Sequence, residues 1–155
     1  MNIGIIIYSQ TGNTNSVALK LKEKLSTAGH LVGIEQIEIS GKLGPRATNF
    51  QFKTKPDVDK YDTLVFGAPV QAFSLSPVMK SYLTQITSLK NKKVACFVTK
   101  ALPFYWTGGN QAVNKMKKIC ESKDGTVCGT GIVIWMAKRR EKKIADVVEK
   151  LSRLF

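Results

Sequence analysis

The sequence has little of what metal sites and histidine-based catalysis need. It contains one histidine, His30, and three cysteines, none of them in a CxxC pair. Zinc is usually held by cysteine and histidine, and a Ser-His-Asp triad needs a histidine beside its nucleophile. We therefore expect neither a zinc site nor a histidine-centred triad. Cys96, Cys120 and Cys128 lie in apolar segments, which predicts buried, reduced thiols.

Long hydrophobic runs are also missing. The longest, at 5–8 and 131–137, are far shorter than the roughly 20 apolar residues of a membrane-spanning helix. The chain opens on the strand-like segment 2–7, without the basic and apolar regions of a signal peptide. We therefore expect no membrane insertion and a cytoplasmic location.

Acidic residues are scarce in the second half of the chain. The net charge is +13; residues 1–77 carry 8 basic and 6 acidic side chains, whereas residues 78–155 carry 16 and 5. This asymmetry predicts a basic face that would attract an acidic protein, an anionic membrane or a nucleic acid. No RNA- or DNA-binding motif accompanies the charge, so no nucleic acid is expected. The basic run 138–143, which opens the last predicted helix, is either a solvated surface or a docking patch.

Length and composition indicate a folded protein. The chain has 155 residues, of which 43% are hydrophobic and 23% charged. These values are typical of a globular protein and exclude disorder as the main state. Since one domain commonly takes about 100–200 residues, we expect a single domain over residues 1–155.

Strand-like and helix-like segments alternate along the chain. Apolar, β-branched runs predict five strands, at 3–8, 31–39, 63–68, 94–99 and 127–136. Apolar residues at helical spacing predict helices after Ser9, from Pro77, around Val113 and around Ile144. Residues 40–60 show no clear period and predict an irregular crossover with room for one short helix. The alternation indicates an α/β protein with three layers, whose ligands bind beyond the carboxyl ends of the strands.

Three loops follow those carboxyl ends, and the first carries the clearest chemistry. It reads Ser9-Gln10-Thr11-Gly12-Asn13-Thr14, between a buried strand and a helix. Its hydroxyls, amide and glycine, with the helix N-terminus, would surround an anion with neutral donors. It contains neither Gly-Lys-Ser/Thr nor GxGxxG, so it predicts a site for a terminal monophosphate. The alternative is an ordinary Ser/Thr cap on the helix.

This loop strongly resembles the phosphate loop of the flavodoxin family, Ser/Thr-x-Thr-Gly-x-Thr. Residues 62–70 are similar to the third strand and following loop of that family, and 97–109 to the fourth strand and its loop. The resemblance extends over essentially the whole chain. It implies a flavodoxin-like sandwich with a five-stranded parallel sheet of order 2-1-3-4-5. It also implies FMN as cofactor, with its phosphate in the first loop and its ring between the other two. The fifth strand lacks the long-chain insertion, which implies a short-chain form.

The second loop departs from the flavodoxin pattern. Gln71 suits an edge hydrogen bond better than ring stacking, and Phe73 suits either the flavin or the core under the next helix. No glycine occurs over 68–78, although flavodoxins often use one for the peptide flip that stabilises their semiquinone. The residues expected at the flavin are Pro69, Val70, Gln71, Ala72 and Phe73.

The third loop is rich in aromatic residues. Tyr105 and Trp106 are the expected ring contacts, and the glycine pair after them permits close backbone approach. The alternative is a hydrophobic lid without ligand contact. Neither flanking loop contains Asp or Glu, whereas Lys100 follows the fourth strand, so the local field should favour the anionic reduced flavin. The residues expected at the flavin are Thr99, Lys100, Ala101, Tyr105, Trp106, Gly108 and Gly109.

The resemblance implies two functions. The first is electron transfer between partner proteins, whose acidic docking faces would contact the basic half of this chain. The alternative is an FMN-dependent NAD(P)H, quinone or flavin reductase, favoured by the glycine-free second loop and the aromatic third loop. A long-lived semiquinone on reductive titration would favour the carrier, and direct two-electron reduction the enzyme.

Overall fold

The structure is a computed structural model, and it describes residues 1–40, 50–71, 73–101 and 108–155. Strands and helices alternate along most of this length. In chain order they are β1 (Asn2–Ile7), α1 (Asn13–Thr27), β2 (Leu31–Gln36), β3 (Glu38–Ser40), β4 (Gln51–Thr54), β5 (Thr63–Gln71), β6 (Ser74–Leu75), α2 (Pro77–Gln85), β7 (Lys93–Lys100), α3 (Gly109–Ser122), β8 (Thr126–Ile134) and α4 (Arg140–Ser152).

Five long strands form a parallel sheet in the order β2-β1-β5-β7-β8. Counting only these five, this is the order 2-1-3-4-5, so the expected fold is confirmed. β1 and β7 are buried almost throughout, and β5 is buried from Thr63 to Ala68. Strands covered on both faces need apolar residues at successive positions, which explains their continuous hydrophobic runs.

Two hydrophobic cores lie on opposite faces of the sheet. The first contains the buried residues of α2 and α3 and includes Phe66 of β5. The second contains those of α1 and α4 and includes Phe97 of β7. The molecule therefore has the three predicted layers. No helix in the described part of the chain is long and apolar enough to span a bilayer.

The prediction for residues 31–60 was partly wrong. The second strand does not run to residue 39: β2 ends at Gln36, and β3 pairs antiparallel with β4, with Ile39 opposite Phe52. Phe52 packs edge-on against the ring of Tyr82, so this small sheet adds to the α2 face of the core. Its strands have three and four residues, too few to show a period of two. The described residues of 40–60 contain no helix, and 41–49 lie outside the described residues.

Other differences are smaller. β5 continues to Gln71 and turns into β6, with Val70 opposite Leu75 and Gln71 opposite Ser74. α4 begins at Arg140, so only part of the basic run 138–143 is helical. Cys96 and Cys120 are buried free thiols as predicted, whereas Cys128 is exposed and lies at an irregularity of β8, between Val127 opposite Val94 and Gly129 opposite Ala95.

Candidate functional site

The carboxyl ends of β1, β5 and β7 lie side by side, and each leads into one of the three predicted loops. β1 and β5 are neighbours from which the chain continues in opposite directions across the sheet, which is the usual position of a ligand crevice. The loops are also joined directly. The hydroxyls of Thr14 and Thr99 are 2.9 Å apart and share a hydrogen bond. The sheet therefore brings the first and third loops together.

The first loop is organised around Ser9. Its Oγ accepts hydrogen bonds from the Gly12 amide at 3.1 Å and the Asn15 amide at 3.4 Å. Gly12 is the N-cap of α1 and has a φ of 89°, in the left-handed region that favours glycine. Gly12 has no side chain and makes no side-chain cap. The first turn of α1 is instead capped from Ser9, whose Oγ accepts the amide of Asn15, the third residue of the helix.

The hydroxyls and amides of this loop differ in their exposure. Gln10 and Thr11 are exposed, Asn13 is half-buried, and Thr14 is only 1% exposed. In the Thr14 and Thr99 pair one hydroxyl donates and the other accepts, which leaves one O–H for a further acceptor. The loop thus offers neutral donors at the N-terminus of a helix, an arrangement that fits a phosphate.

The second loop is a tight hairpin between β5 and β6. Pro69, Val70 and Gln71 are half-buried, and Gln71 Nε2 donates a hydrogen bond to Gln10 Oε1, which joins this loop to the first. Phe73 has a φ of 62° and is 54% exposed, so its ring does not lie in the core under α2. Ala72 lies outside the described residues.

The second and third loops meet at Gly108, the N-cap of α3. Gly108 has a φ of 94°, and a Cβ atom added to it would lie 2.0 Å from the carbonyl oxygen of Phe73. A Cβ at Gly109 would lie 2.9 Å from Cδ of Lys100. The glycine pair thus packs closely against the second loop and against Lys100, and its approach to a ligand stays a prediction.

The remaining residues of the third loop are placed as follows. Thr99 and Lys100 are buried, and Ala101 is exposed. The backbone oxygens of Lys100 and Ala101 accept hydrogen bonds from Trp135 at 2.7 Å and Met136 at 3.1 Å. Burial lowers the pKa of the Lys100 ammonium. Tyr105 and Trp106, the predicted ring contacts, lie outside the described residues.

Sequence reasoning missed the loop after β8. Trp135 packs under the guanidinium of Arg140, whose central carbon lies 4.7 Å from the ring centroid. Met136 is exposed, and its amide is bonded to the third loop. Ligands of α/β sheets bind beyond the carboxyl ends of the strands, and β8 ends next to β7. Applying this rule to β8 would have indicated Trp135 and Met136.

Tyr8 and Ser76 were also missed. Burial raises the pKa of Tyr8, and a hydrogen bond with Gln10 opposes that rise. Ser76 precedes α2, and its Oγ is buried with no hydrogen-bond partner among the residues that the structure describes. Both side chains lie next to residues of the predicted loops.

The donor set suits FMN. Residues 9–14 carry no charge, and residues 69–76 and 100–109 contain no Asp or Glu. A phosphate is therefore met by donors without competing carboxylates, and a planar ring would lie near the exposed Phe73. The hydrogen-bond chemistry of the described loops agrees with that of the implied cofactor.

Comparisons with known proteins identify the family and the fold. The flavodoxin domain family matches residues 5–126. No curated protein is significantly similar to the chain in sequence. Two similar solved structures cover nearly all of both chains: oxidised flavodoxin 2 from Bacillus cereus (17% identity, 100% of each chain, TM-score 0.73) and two-electron reduced flavodoxin from Megasphaera elsdenii (21%, 97% of this chain and 98% of the other, 0.69).

A third similar structure is a flavoprotein from Lactobacillus acidophilus in complex with FMN. It is 18% identical, over 84% of this chain and 92% of the other, with a TM-score of 0.60. At these identities the solved structures establish a common fold, whereas the match over 5–126 establishes the family. The chain therefore belongs to the flavodoxin family, and its cofactor is FMN.

Proposed function

We propose that this protein carries electrons between partner proteins. Bound FMN would supply the redox chemistry, while the protein binds the cofactor, sets its environment and presents it to partners. The observation that carries the proposal is the uncharged first loop on a flavodoxin fold, joined to the third loop by Thr14 and Thr99. No described residue of the loops needs to act as an acid or base for this function.

In this proposal the first loop holds the phosphate. Thr11 is exposed, so its hydroxyl is accessible to a ligand. Asn13 and Thr14 occupy the first turn of α1, where amides and the helix dipole favour an anion. Ser9 keeps the loop in shape through its two amide contacts.

The second and third loops would flank the ring. Gln71 and Phe73 approach from the hairpin, and Thr99, Lys100 and Ala101 from the end of β7. Pro69 and Val70 form the floor at the end of β5. We propose further contacts of the ring with five residues of the same two loops: Ala72, Tyr105, Trp106, Gly108 and Gly109.

The partner would present an acidic face. The segment between β8 and the second turn of α4 contains the cations Lys138, Arg139, Arg140, Lys142 and Lys143, all exposed. Its acidic residue, Glu141, already forms an ion pair with Lys20 at 2.5 Å. The exposed side chains of Met136 (68%) and Phe73 (54%) add apolar area at the same end of the sheet. A basic rim around an apolar centre suits an acidic redox protein.

Electron exchange at different ionic strengths tests this proposal. Reduced [2Fe–2S] ferredoxin, an acidic protein, is mixed with the FMN-loaded protein in a stopped-flow instrument. We expect the second-order rate to fall at least tenfold as salt is raised, because exposed charges are screened beyond about 8–10 Å. A rate that does not change with salt, or a faster exchange with the basic protein cytochrome c at low salt, would contradict the acidic partner.

Two charge-reversal variants locate the docking face. Lys142→Glu with Lys143→Glu reverses two charges at the carboxyl end of the sheet, and Lys90→Glu with Lys93→Glu reverses two exposed charges at the amino end. The first variant should slow the exchange severalfold while retaining FMN, and the second should have a much smaller effect. Equal effects would show that only the net charge matters.

A second candidate function has a specific observation in its favour. The tip of the second loop is held by the contact of Phe73 with Gly108, and no glycine relaxes it. A rigid loop favours two-electron chemistry, as in an FMN-dependent NAD(P)H, quinone or flavin reductase. Steady NADH or NADPH consumption with a quinone, without an added reductase, would select this function. Accumulation of one-electron-reduced flavin on dithionite titration would select the carrier.

A further inference from the structure

A buried cation lies at the end of β7. Among the residues that the structure describes, Lys100 is the one charged side chain that is buried, with 7% exposure. Burying an ammonium group has a considerable free-energy cost, and lysine is rarely buried for packing alone. Burial also lowers the pKa of this group. The position therefore calls for a role that an apolar residue does not supply.

Contacts with β8 and with Gly109 of α3 locate the ammonium group of Lys100. Its backbone pairs with β8 opposite Ile134, and its carbonyl accepts the Trp135 amide at 2.7 Å. Its Cδ and Cε atoms would lie 2.9 and 3.5 Å from a Cβ added to Gly109. The ammonium, one bond beyond Cε, is therefore close to the first residue of α3.

This location is the junction of the second and third loops. Gly108, the residue before Gly109, lies against the carbonyl of Phe73 at the tip of the second loop. The positive end of the α3 dipole and the Lys100 ammonium therefore act at the same place. Residues 69–76 and 100–109 contain no carboxylate that would offset this positive field.

Reduction changes the charge of the flavin ring. The oxidised ring is neutral, and uptake of two electrons and one proton gives the anionic reduced ring that prevails at neutral pH. A nearby cation lowers the free energy of the anion and leaves that of the neutral ring nearly unchanged. We propose that the positive charge of Lys100 makes this protein bind reduced FMN in preference to oxidised FMN. The proposal rests on the proposed place of the ring between the second and third loops.

Binding of FMN in its two redox states tests this proposal. Dissociation constants are measured for oxidised FMN and, under anaerobic conditions, for dithionite-reduced FMN. In Lys100→Met, which keeps the length and removes the charge, reduced FMN should bind about tenfold more weakly relative to oxidised FMN. A tenfold change in this ratio corresponds to about 30 mV in the two-electron potential.

Two further variants separate this role from a structural one. Lys93→Met removes the same charge from the exposed opposite end of β7 and should leave the ratio within about twofold of wild type. Lys100→Arg keeps the charge and should retain most of the preference. Urea unfolding of the apoproteins checks that each variant folds.

The outcomes distinguish the two proposals. If wild type binds FMN and Lys100→Met has the wild-type ratio, or weakens both redox states equally, the role of Lys100 is wrong while the electron carrier stands. If Lys93→Met changes the ratio as much as Lys100→Met, the effect belongs to net charge and the proposal also fails. If the ratio changes as expected while ferredoxin exchanges no electrons, Lys100 acts as proposed and the carrier function is wrong.

Discussion

The contact between Gly108 and Phe73 gives a prediction whose size follows from the structure. Alanine at position 108 would place its Cβ 2.0 Å from the Phe73 oxygen and 2.3 Å from the Phe73 carbonyl carbon. Normal contacts between non-bonded heavy atoms begin near 3.5 Å, so the two backbones would have to separate by more than about 1 Å. The atoms met are backbone atoms of Phe73, so rotation of a side chain does not relieve the clash.

Gly29 is a matched control. It has the same φ of 94° as Gly108, and among the described residues other than its two chain neighbours no atom lies within 4 Å of a Cβ added there. In both variants alanine has to adopt a left-handed conformation, at a cost of about 1–2 kcal/mol. Gly108→Ala adds the displacement of the Phe73 carbonyl, about 1–3 kcal/mol more by analogy with overpacked sites. The difference between the two variants therefore isolates the contact between the loops.

Two assays follow. Urea unfolding of the apoproteins should give a free energy of unfolding about 1–3 kcal/mol lower for Gly108→Ala than for Gly29→Ala. Fluorescence titration should show weaker FMN binding by Gly108→Ala only, because separated loops no longer fit one ring. Equal losses of stability would show that the clash relaxes without cost. Wild-type FMN affinity in a destabilised Gly108→Ala would show that this junction does not shape the flavin site.

Two further predictions concern the first loop and the contact of Tyr61 with Glu35 of β2. Thr11→Ala should weaken FMN binding by about 1–3 kcal/mol without lowering apoprotein stability, because the exposed hydroxyl bonds only to the ligand. Riboflavin, which lacks the phosphate, should bind wild type and Thr11→Ala with the same affinity. Tyr61 donates a 2.5 Å hydrogen bond to Glu35, and its pKa is raised from about 10 by burial and then by Glu35. Because the raised pKa favours the folded state with Tyr61 protonated, the stability that this bond contributes should be retained below pH 10 and fall above it. Urea midpoints should show that Tyr61→Phe unfolds more easily than wild type at pH 7 and loses less stability between pH 10 and 11. The same pH dependence of the midpoint in Tyr61→Phe and wild type would contradict this assignment.

The sequence predicts the parts of this fold that repeat one physical pattern over many residues. β1, β5 and β7 were recognisable because strands covered on both faces need unbroken apolar runs. α2 was recognisable because Ser76-Pro77 precedes residues at helical spacing. The pairing of β3 with β4 was not, since so few residues cannot show a period and their partners are far apart in sequence.

The candidate site also has a part that the sequence predicts and a part that it does not. The first loop was predictable because its residues act together within one turn of the chain. The glycine pair signalled a close approach, but a sequence does not say that Phe73 would be the partner. The burial of Lys100 depends on α3 and β8 packing around it, and a charged residue at a strand end gives no sign of that. Local chemistry was therefore accessible from the sequence, whereas contacts between loops required the fold.

The hydrogen bond between Thr14 and Thr99 has a thermodynamic consequence for cofactor recognition. It connects the helix end at which we propose the phosphate binds with the strand end at which we propose the ring lies. A group that orders one hydroxyl also restricts the other, so the entropy lost at one end does not have to be lost again at the second. By reciprocity, the two halves of the nucleotide then raise each other's affinity by the same factor. With FMN placed as proposed, we expect it to bind more tightly than the separate affinities of its phosphate and ring would give.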